Sequence, residues 1–260
     1  RLETSPRGVY TGSIGHIEPS GDFRFNVAIR TLVLRDDGTG EVGTGSGVVH
    51  DSGNATEYDE CGLKLKFMTA ETPAFSLIET MAYVPGDGYL LLERHLRRLA
   101  ASAAHFGFEY DEAAVRTNLE ALSTSFSGPS RVRLVLAEHG ACSVTHEPLH
   151  PASNETVWDV VVAEEVCRSD DRFLYHKTTN RELYDQTRTA YAARTGCQEV
   201  IFENENGFLT EGSFTSLFLS RDGKLLTPPL ERGVLPGVLR RELLESGDAV
   251  EADLRAEDLA

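Results

Sequence analysis

The sequence is short of basic charge, of long apolar runs and of clustered cysteine. Lysine and arginine together number 25 against 41 aspartates and glutamates, a formal net charge of -16. A mean field of that sign repels polyanions, which argues against unspecific binding to nucleic acid or to an anionic membrane surface. A small anionic substrate stays admissible, because a local group of arginines can override the mean. The apolar runs are short and interrupted, so no segment is expected to span a bilayer. The chain opens on Arg1-Leu2-Glu3 without an apolar leader, which argues against secretion. Cys61, Cys142, Cys167 and Cys197 are widely spaced and form no CxxC pair. Free thiols in a reducing cytoplasm are therefore expected, rather than a thiolate metal site or a disulfide framework. Internal repeats and low-complexity segments are also missing.

What is present fits a soluble globular protein: 40% hydrophobic and 25% charged residues over 260 positions, enough for a sizeable core. Residues up to about 70 are rich in turns such as "PSGD" and "DDGTGE". Between them "FRFNVAIRTLVL" and "GSGVVH" read as hairpin strands, and "ATEYDECGLKLKFM" as a helix. That piece has too few apolar residues to be a domain alone. After "TAETPA" the pattern changes: "FSLIETMAYV" reads as a strand and "LERHLRRLAASAAHF" as an amphipathic helix. "DEAAVRTNLEALSTSF" is a second helix, with Val115, Leu119 and Leu122 on one face, and three strands follow to about residue 168. The last third starts with the strand-like run "FLYHK", then a helix from Arg181 to Ala193, several short strands and a helix at "GVLPGVLRRELLES".

Lysine is scarce, occurring only at positions 64, 66, 177 and 224. Lys177 alone follows an apolar run and precedes a polar cluster, in "FLYHKTTNRELYD". Partial burial disfavours an ammonium, so such a lysine either finds a salt-bridge partner or has its amine used chemically. The local sequence leaves both readings open.

Five ordered motifs bear on that choice: "FSLIETM", "LERHLRRLAASA", "HKTTNRELYD", "ENENGFLTEGSFTSLFL" and "ERGVLPGVLRREL". Through them the chain from Phe75 onward resembles the fold-type IV pyridoxal-phosphate enzymes, the class IV aminotransferase family, and within it the aminodeoxychorismate lyases. Residues 7–67 resemble a different family, the C-terminal part of chorismate-using synthases, through "RGVYTGSIG", "FNVAIRTL", "GTGSGVVHDS" and "TEYDECGLK". Together the two resemble a fusion of synthase and lyase. The fold implied is α+β: residues 1–70 as a synthase remnant, 73–168 as a first α/β subdomain and 169–260 as a second. The second is expected to be β-rich and barrel-like, with the cofactor between the two.

The resemblance implies a Schiff base between pyridoxal 5'-phosphate and Lys177, with Glu211 facing the pyridine nitrogen and Arg98 on the phosphate. It places the amides of Gly237, Val238 and Leu239 on the phosphate as well, although "LPG" also reads as a plain helix entry. Leu239 and Ser216 depart from the threonine and asparagine common in relatives. Thr80 is expected to assist proton delivery. His176, Asn180 and Arg181 are expected on the substrate side, although Arg181 could equally pair with Glu182 or Asp185. Arg116, Arg131 and Arg133 are further cations among which periodicity does not choose. In the front segment Tyr10, Arg30, Gly45, Ser46, Glu57, Glu60 and Lys64 match parts of a chorismate site. There Glu57 and Glu60 match a magnesium site complete only in the full synthase; the spacing of Glu57, Glu60 and Lys64 equally fits ordinary helix-surface charge. The implied activity is conversion of 4-amino-4-deoxychorismate to 4-aminobenzoate and pyruvate. A branched-chain or D-amino-acid transaminase and a non-catalytic synthase fragment remain as alternatives. The resemblance also implies a homodimer, and a glutamine amidotransferase partner for the full fusion.

Overall fold

The computed structural model describes residues 6–69, 73–150 and 156–259, with side chains to residue 66 in the first span. The chain divides into two compact units, Arg1–Thr72 and Pro73–Ala260. The expected junction at residues 70–72 lies outside the described residues.

The first unit consists of two hairpins and a helix. Strands β1 (Ser13–Ile17) and β2 (Phe23–Val27) pair antiparallel, as do β3 (Leu32–Leu34) and β4 (Gly40–Val42), and α1 spans Asn54–Thr69. The expected run "FRFNVAIRTLVL" is thus broken between β2 and β3, where Arg30 takes a left-handed conformation at φ 51°. The expected strand in "GSGVVH" does not form: residues 45–50 pair with no strand among the described residues. Every residue of the first hairpin's strands is exposed, and among the described residues of this unit only Ala28 is buried. Hydrophobic burial contributes little here.

The second unit begins with a four-stranded antiparallel sheet of order β6-β5-β7-β8: β5 is Leu77–Val84, β6 Gly88–Tyr89, β7 Ser130–Leu136 and β8 Cys142–Pro148. Helices α2 (Leu92–Phe106) and α3 (Glu112–Ser123) cover one face. Their apolar stripes meet the inward residues of β5 and β7, so Leu77, Met81, Leu96, Leu99, Val115, Leu119, Val132 and Leu134 form one core. Alternation along β7 sends Val132, Leu134 and Leu136 into it and turns Arg131 and Arg133 to the other face.

Two further sheets follow. In one, β9 (Val160–Cys167) crosses through α4 (Glu182–Thr195) to a parallel neighbour, β10 (Glu199–Asn204), which pairs antiparallel with β11 (Leu209–Gly212). In the other, β12 (Leu219–Arg221) and β13 (Lys224–Thr227) form a hairpin, and α5 (Val238–Ser246) returns the chain to β14 (Ala249–Glu251), parallel to β13. The barrel-like reading of this half is wrong: its strands form two open sheets of three strands each. A barrel needs its first and last strands to pair. Here each helical crossover starts or ends a short sheet instead, and a sequence of short strands and glycine turns does not show which edges stay open. Leu209 N–H donates to Leu254 O at 2.8 Å, so the segment after β14 lies along the start of β11. Phe173 and Tyr175 belong to a 3-10 turn, Arg172–Tyr175, and not to a strand. Among the described residues no helix is long and apolar enough to cross a membrane.

Leu134 is fully buried and Leu34 is 72% exposed. Leu134→Ala is expected to lower stability by about 2–5 kcal/mol, and Leu34→Ala by no more than about 0.5 kcal/mol. Urea unfolding followed by far-ultraviolet circular dichroism measures both.

Candidate active site

Lys177 is held by its backbone against the start of β5. Ile78 N–H donates to Lys177 O and Thr179 N–H to Ser76 O, each at 2.9 Å, while Ser76 N–H donates to Thr179 Oγ1 at 2.9 Å. Asn180 N–H donates to Thr178 Oγ1 at 3.1 Å in the turn that opens α4. The polar "TTN" therefore fixes the backbone on either side of the lysine. The Lys177 amine itself makes no hydrogen bond or ion pair among the described residues, so the salt-bridged reading fails. Burial, with the Arg98 and Arg181 guanidinium groups, pushes its ammonium down to about 8.

Glu211 sits near the end of β11, buried. Tyr184 OH donates to Oε1 and Leu235 N–H to Oε2, both at 3.2 Å. Burial nevertheless pushes the carboxyl up to about 7, against those hydrogen bonds and the nearby Arg181 and Lys177. Tyr184 is itself buried on α4, edge-on to Phe202 at 4.8 Å, with its hydroxyl 3.9 Å from the Cys167 sulfur. Burial raises the Cys167 thiol to about 12.

Arg98 and His95, one turn apart on α2, meet one carboxylate. Arg98 Nε donates to Glu79 Oε1 at 2.7 Å and a terminal nitrogen to Oε2 at 2.5 Å, while His95 Nδ1 lies 2.7 Å from Oε2. Burial alone would raise Glu79, but the hydrogen bonds to His95 and Arg98 outweigh it and hold the carboxyl below its ordinary value. The other terminal nitrogen of Arg98 donates to Pro236 O at 3.1 Å, in the turn before α5. A guanidinium has five N–H donors, so two remain for a ligand. In that turn the Gly237 amide is taken by Leu235 O at 2.7 Å. Val238 and Leu239 open α5, so their amides have no acceptor within the helix. A Cβ on Gly237 would come within 2.7 Å of Ser216 Oγ, so glycine lets the turn approach the segment between β11 and β12.

These groups bound a cavity of about 360 Å³ lined by Lys177, Glu211, Arg98, Val238, Leu239 and Thr80, among others. A second cavity of about 410 Å³ shares Thr80, Lys177, Arg181 and Phe214 with it. The first fits pyridoxal phosphate by its donor set: a free amine for the aldehyde, a buried carboxyl for the pyridine nitrogen, and a helix start with a guanidinium for the phosphate.

Of the other expected residues, Arg181 alone reaches both cavities. His176 stacks on His105 at 4.3 Å and bonds Ser102 Oγ through Nδ1 at 2.9 Å, and neither it nor Asn180 lines these cavities. Arg181 lines both cavities; it donates to Ser213 O and lies 3.8 Å from Asp185. Arg116 is tied to Glu93 and Glu112. In the first unit Tyr10, Arg30, Gly45 and Lys64 line a separate cavity of about 250 Å³. There Lys64 pairs with Glu60 at 2.6 Å and donates to Gly45 O at 2.9 Å. A hydrogen bond with Ser46, then one with Ser52, lowers the Glu57 carboxyl. Among the described residues no three His, Cys, Asp or Glu side chains gather as metal ligands. Sequence reasoning missed Glu79 and Tyr184. Glu79 was detectable, since alternation puts it between Leu77 and Met81 on the core face of β5, where a charge must be paired.

Glu79→Ala leaves a guanidinium and an imidazole facing a void, and should cost about 3–5 kcal/mol at neutral pH. Glu79 ionises more readily folded than unfolded, so its contribution is present above its unfolded value and lost as pH falls through the folded one. The gap between wild type and Glu79→Gln in urea unfolding should accordingly narrow in acid.

Comparison with known proteins agrees with this geometry. A model of the amino-transferase class IV family matches residues 76–260, and one of chorismate binding enzymes matches residues 1–70. A Schizosaccharomyces pombe protein named "Putative aminodeoxychorismate lyase" is 29% identical over 180 residues, 68% of this chain and 77% of that protein. The crystal structure of a "Putative amino-acid aminotransferase" from Mesorhizobium loti superposes with a TM-score of 0.68 at 39% identity, covering 71% of this chain and 89% of that one. The front segment is 44% identical over 68 residues to a rice protein named "Probable aminodeoxychorismate synthase, chloroplastic", of which it spans 8%. With a chorismate-binding-like segment ahead of it, the body of this chain belongs to the class IV amino-transferases, the fold-type IV pyridoxal-phosphate family.

Proposed function

We propose that residues 73–260 convert 4-amino-4-deoxychorismate to 4-aminobenzoate and pyruvate, an aminodeoxychorismate lyase reaction on the route to folate. The observation that carries this reading is the position of Lys177, whose unpaired amine stands where two cavities meet. The likeness to the fission-yeast protein, and a chorismate-binding-like segment in the same chain, support this substrate over an ordinary amino acid.

Lys177, Arg98, Glu211 and the amides of Val238 and Leu239 would hold pyridoxal phosphate, which when bound would supply an aldehyde for the substrate amine and a ring able to accept electrons. Glu211, whose carboxyl burial raises to about 7, would be the residue to hold the ring nitrogen, and it keeps that end of the site polar. The Lys177 amine takes the proton from ring C4 of the substrate; its neutral fraction grows as pH rises through about 8. Loss of that proton and of the C3–O bond makes the ring aromatic. The enolpyruvate released takes up a proton at carbon and becomes pyruvate. Thr80, which lines both cavities, places a hydroxyl for that delivery. A second reading, a transaminase using the same lysine and glutamate, draws on the likeness to the Mesorhizobium structure.

After pyridoxal phosphate is added and excess removed by gel filtration, wild type should keep a visible absorption band that borohydride bleaches while fixing the cofactor covalently to the chain, and Lys177→Ala should not. The rate of capture should rise with pH through about 8, as the amine deprotonates. With 4-amino-4-deoxychorismate the loaded protein should release 4-aminobenzoate and pyruvate in equal amounts with no 2-oxo acid added as co-substrate. Turnover that requires a 2-oxo acid would favour the transaminase.

A further inference from the structure

The second cavity has a charge pattern that the chemistry at Lys177 does not use. In a chain of net charge -16, its lining includes Arg131, Arg133, Arg181 and Arg188 besides Lys177, with Asp185 as the acid among them. Two of the four arginines are committed: Arg131 to Glu147 at 3.0 Å, and Arg181 to Ser213 O and Asp185. Arg133 and Arg188 have no carboxylate partner among the described residues. Like charges crowded into one concavity raise its potential, and an anion bound there relieves the repulsion.

Both are fixed in direction. Arg133 stands opposite Thr80 on β5 and Thr145 on β8, on the sheet face turned away from the core. Arg188 follows Arg181 and Asp185 by seven and three positions along α4, so the three share a face. Its guanidinium lies over the ring of Phe214, 5.4 Å from the centroid, and Phe214 borders both cavities. The rigid ring limits where that long side chain can go. One arginine thus comes from the sheet and the other from the helix, on the side of Lys177 away from α5.

We propose that Arg133 and Arg188 form a carboxylate clamp that selects a cyclic dicarboxylate substrate, holding a carboxylate remote from the carbon at which Lys177 acts. This rests on Lys177 being the reacting amine. A substrate with one carboxylate leaves part of the clamp unpaired in a cavity already rich in positive charge. Discrimination against ordinary amino acids then arises from the pocket rather than from the chemistry.

The single tryptophan, Trp158, lies 5.9 Å from the Phe214 ring and reports on this cavity. Chorismate, a cyclic dicarboxylate without the reacting amine, should change its fluorescence saturably in the pyridoxal-phosphate-loaded protein, and benzoate should bind far more weakly. Arg188→Gln and Arg133→Gln should each weaken chorismate by about tenfold or more, as for loss of one charged hydrogen bond, while keeping the borohydride-fixed cofactor band. Arg168→Gln, at an exposed pair with Asp170, should leave the titration unchanged. No response to chorismate in wild type, or undiminished wild-type affinity in both clamp variants, overturns the clamp. If chorismate binds as expected but no 4-aminobenzoate forms from 4-amino-4-deoxychorismate, the clamp stands and the lyase assignment fails. Absence of the cofactor band in wild type removes the premise and overturns both.

Discussion

The site depends on a carboxylate buried in a sheet. Glu79 lies on the core face of β5 between leucine and methionine, and it is tolerated there because Arg98 and His95 close on it from α2. Arg98 also holds the carbonyl of Pro236, and so joins β5, α2 and the entry to α5. The helix start that offers free amides is thereby tied to the strand carrying Thr80 and bordering Lys177. Breaking a buried pair costs more than forming it gains. Its value lies in the geometry it imposes, because the two unused guanidinium donors are aimed by the three that are used.

A similar economy governs the opposite wall. Glu211 is held by a phenol and a backbone amide, which leaves its carboxyl enclosed and raised rather than paired. Tyr184 reaches it from α4, the helix that starts just after Lys177 and also carries Arg188. One helix therefore sets the floor of one cavity and the cationic edge of the other, and a shift of α4 would disturb both.

Much of this was legible in the sequence. The amphipathic helix with His95 and Arg98 on one face, the strand that carries Thr80, the lysine between apolar and polar stretches and the turn at Pro236 all follow from periodicity and local chemistry. What failed were non-local facts. Which strands pair is decided by helical crossovers, and so the expected barrel became two open sheets. His176 looked like a substrate ligand by adjacency to Lys177, yet the extended backbone there sends neighbouring side chains to opposite sides, and it packs on His105. Gly237 was expected to offer its amide, but the turn that delivers α5 consumes it. Tyr184 left no mark, because an aromatic on a helix reads as core until its hydroxyl finds a carboxylate.

The hydrogen bond from Leu209 to Leu254 bears on the order in which the chain is made. The strand carrying Glu211 is held on one side by β10, already synthesised, and near its start by a segment that emerges only after α5 and β14. Domains fold from the N-terminus as they leave the ribosome. The sheet of β5 and β7 and its helices can therefore consolidate early, whereas the wall around Glu211 stays open until Leu254 has been translated. A stalled ribosome with Leu209 outside its exit tunnel and Leu254 still within it would display a lysine already held beside β5 but not yet faced by a closed site.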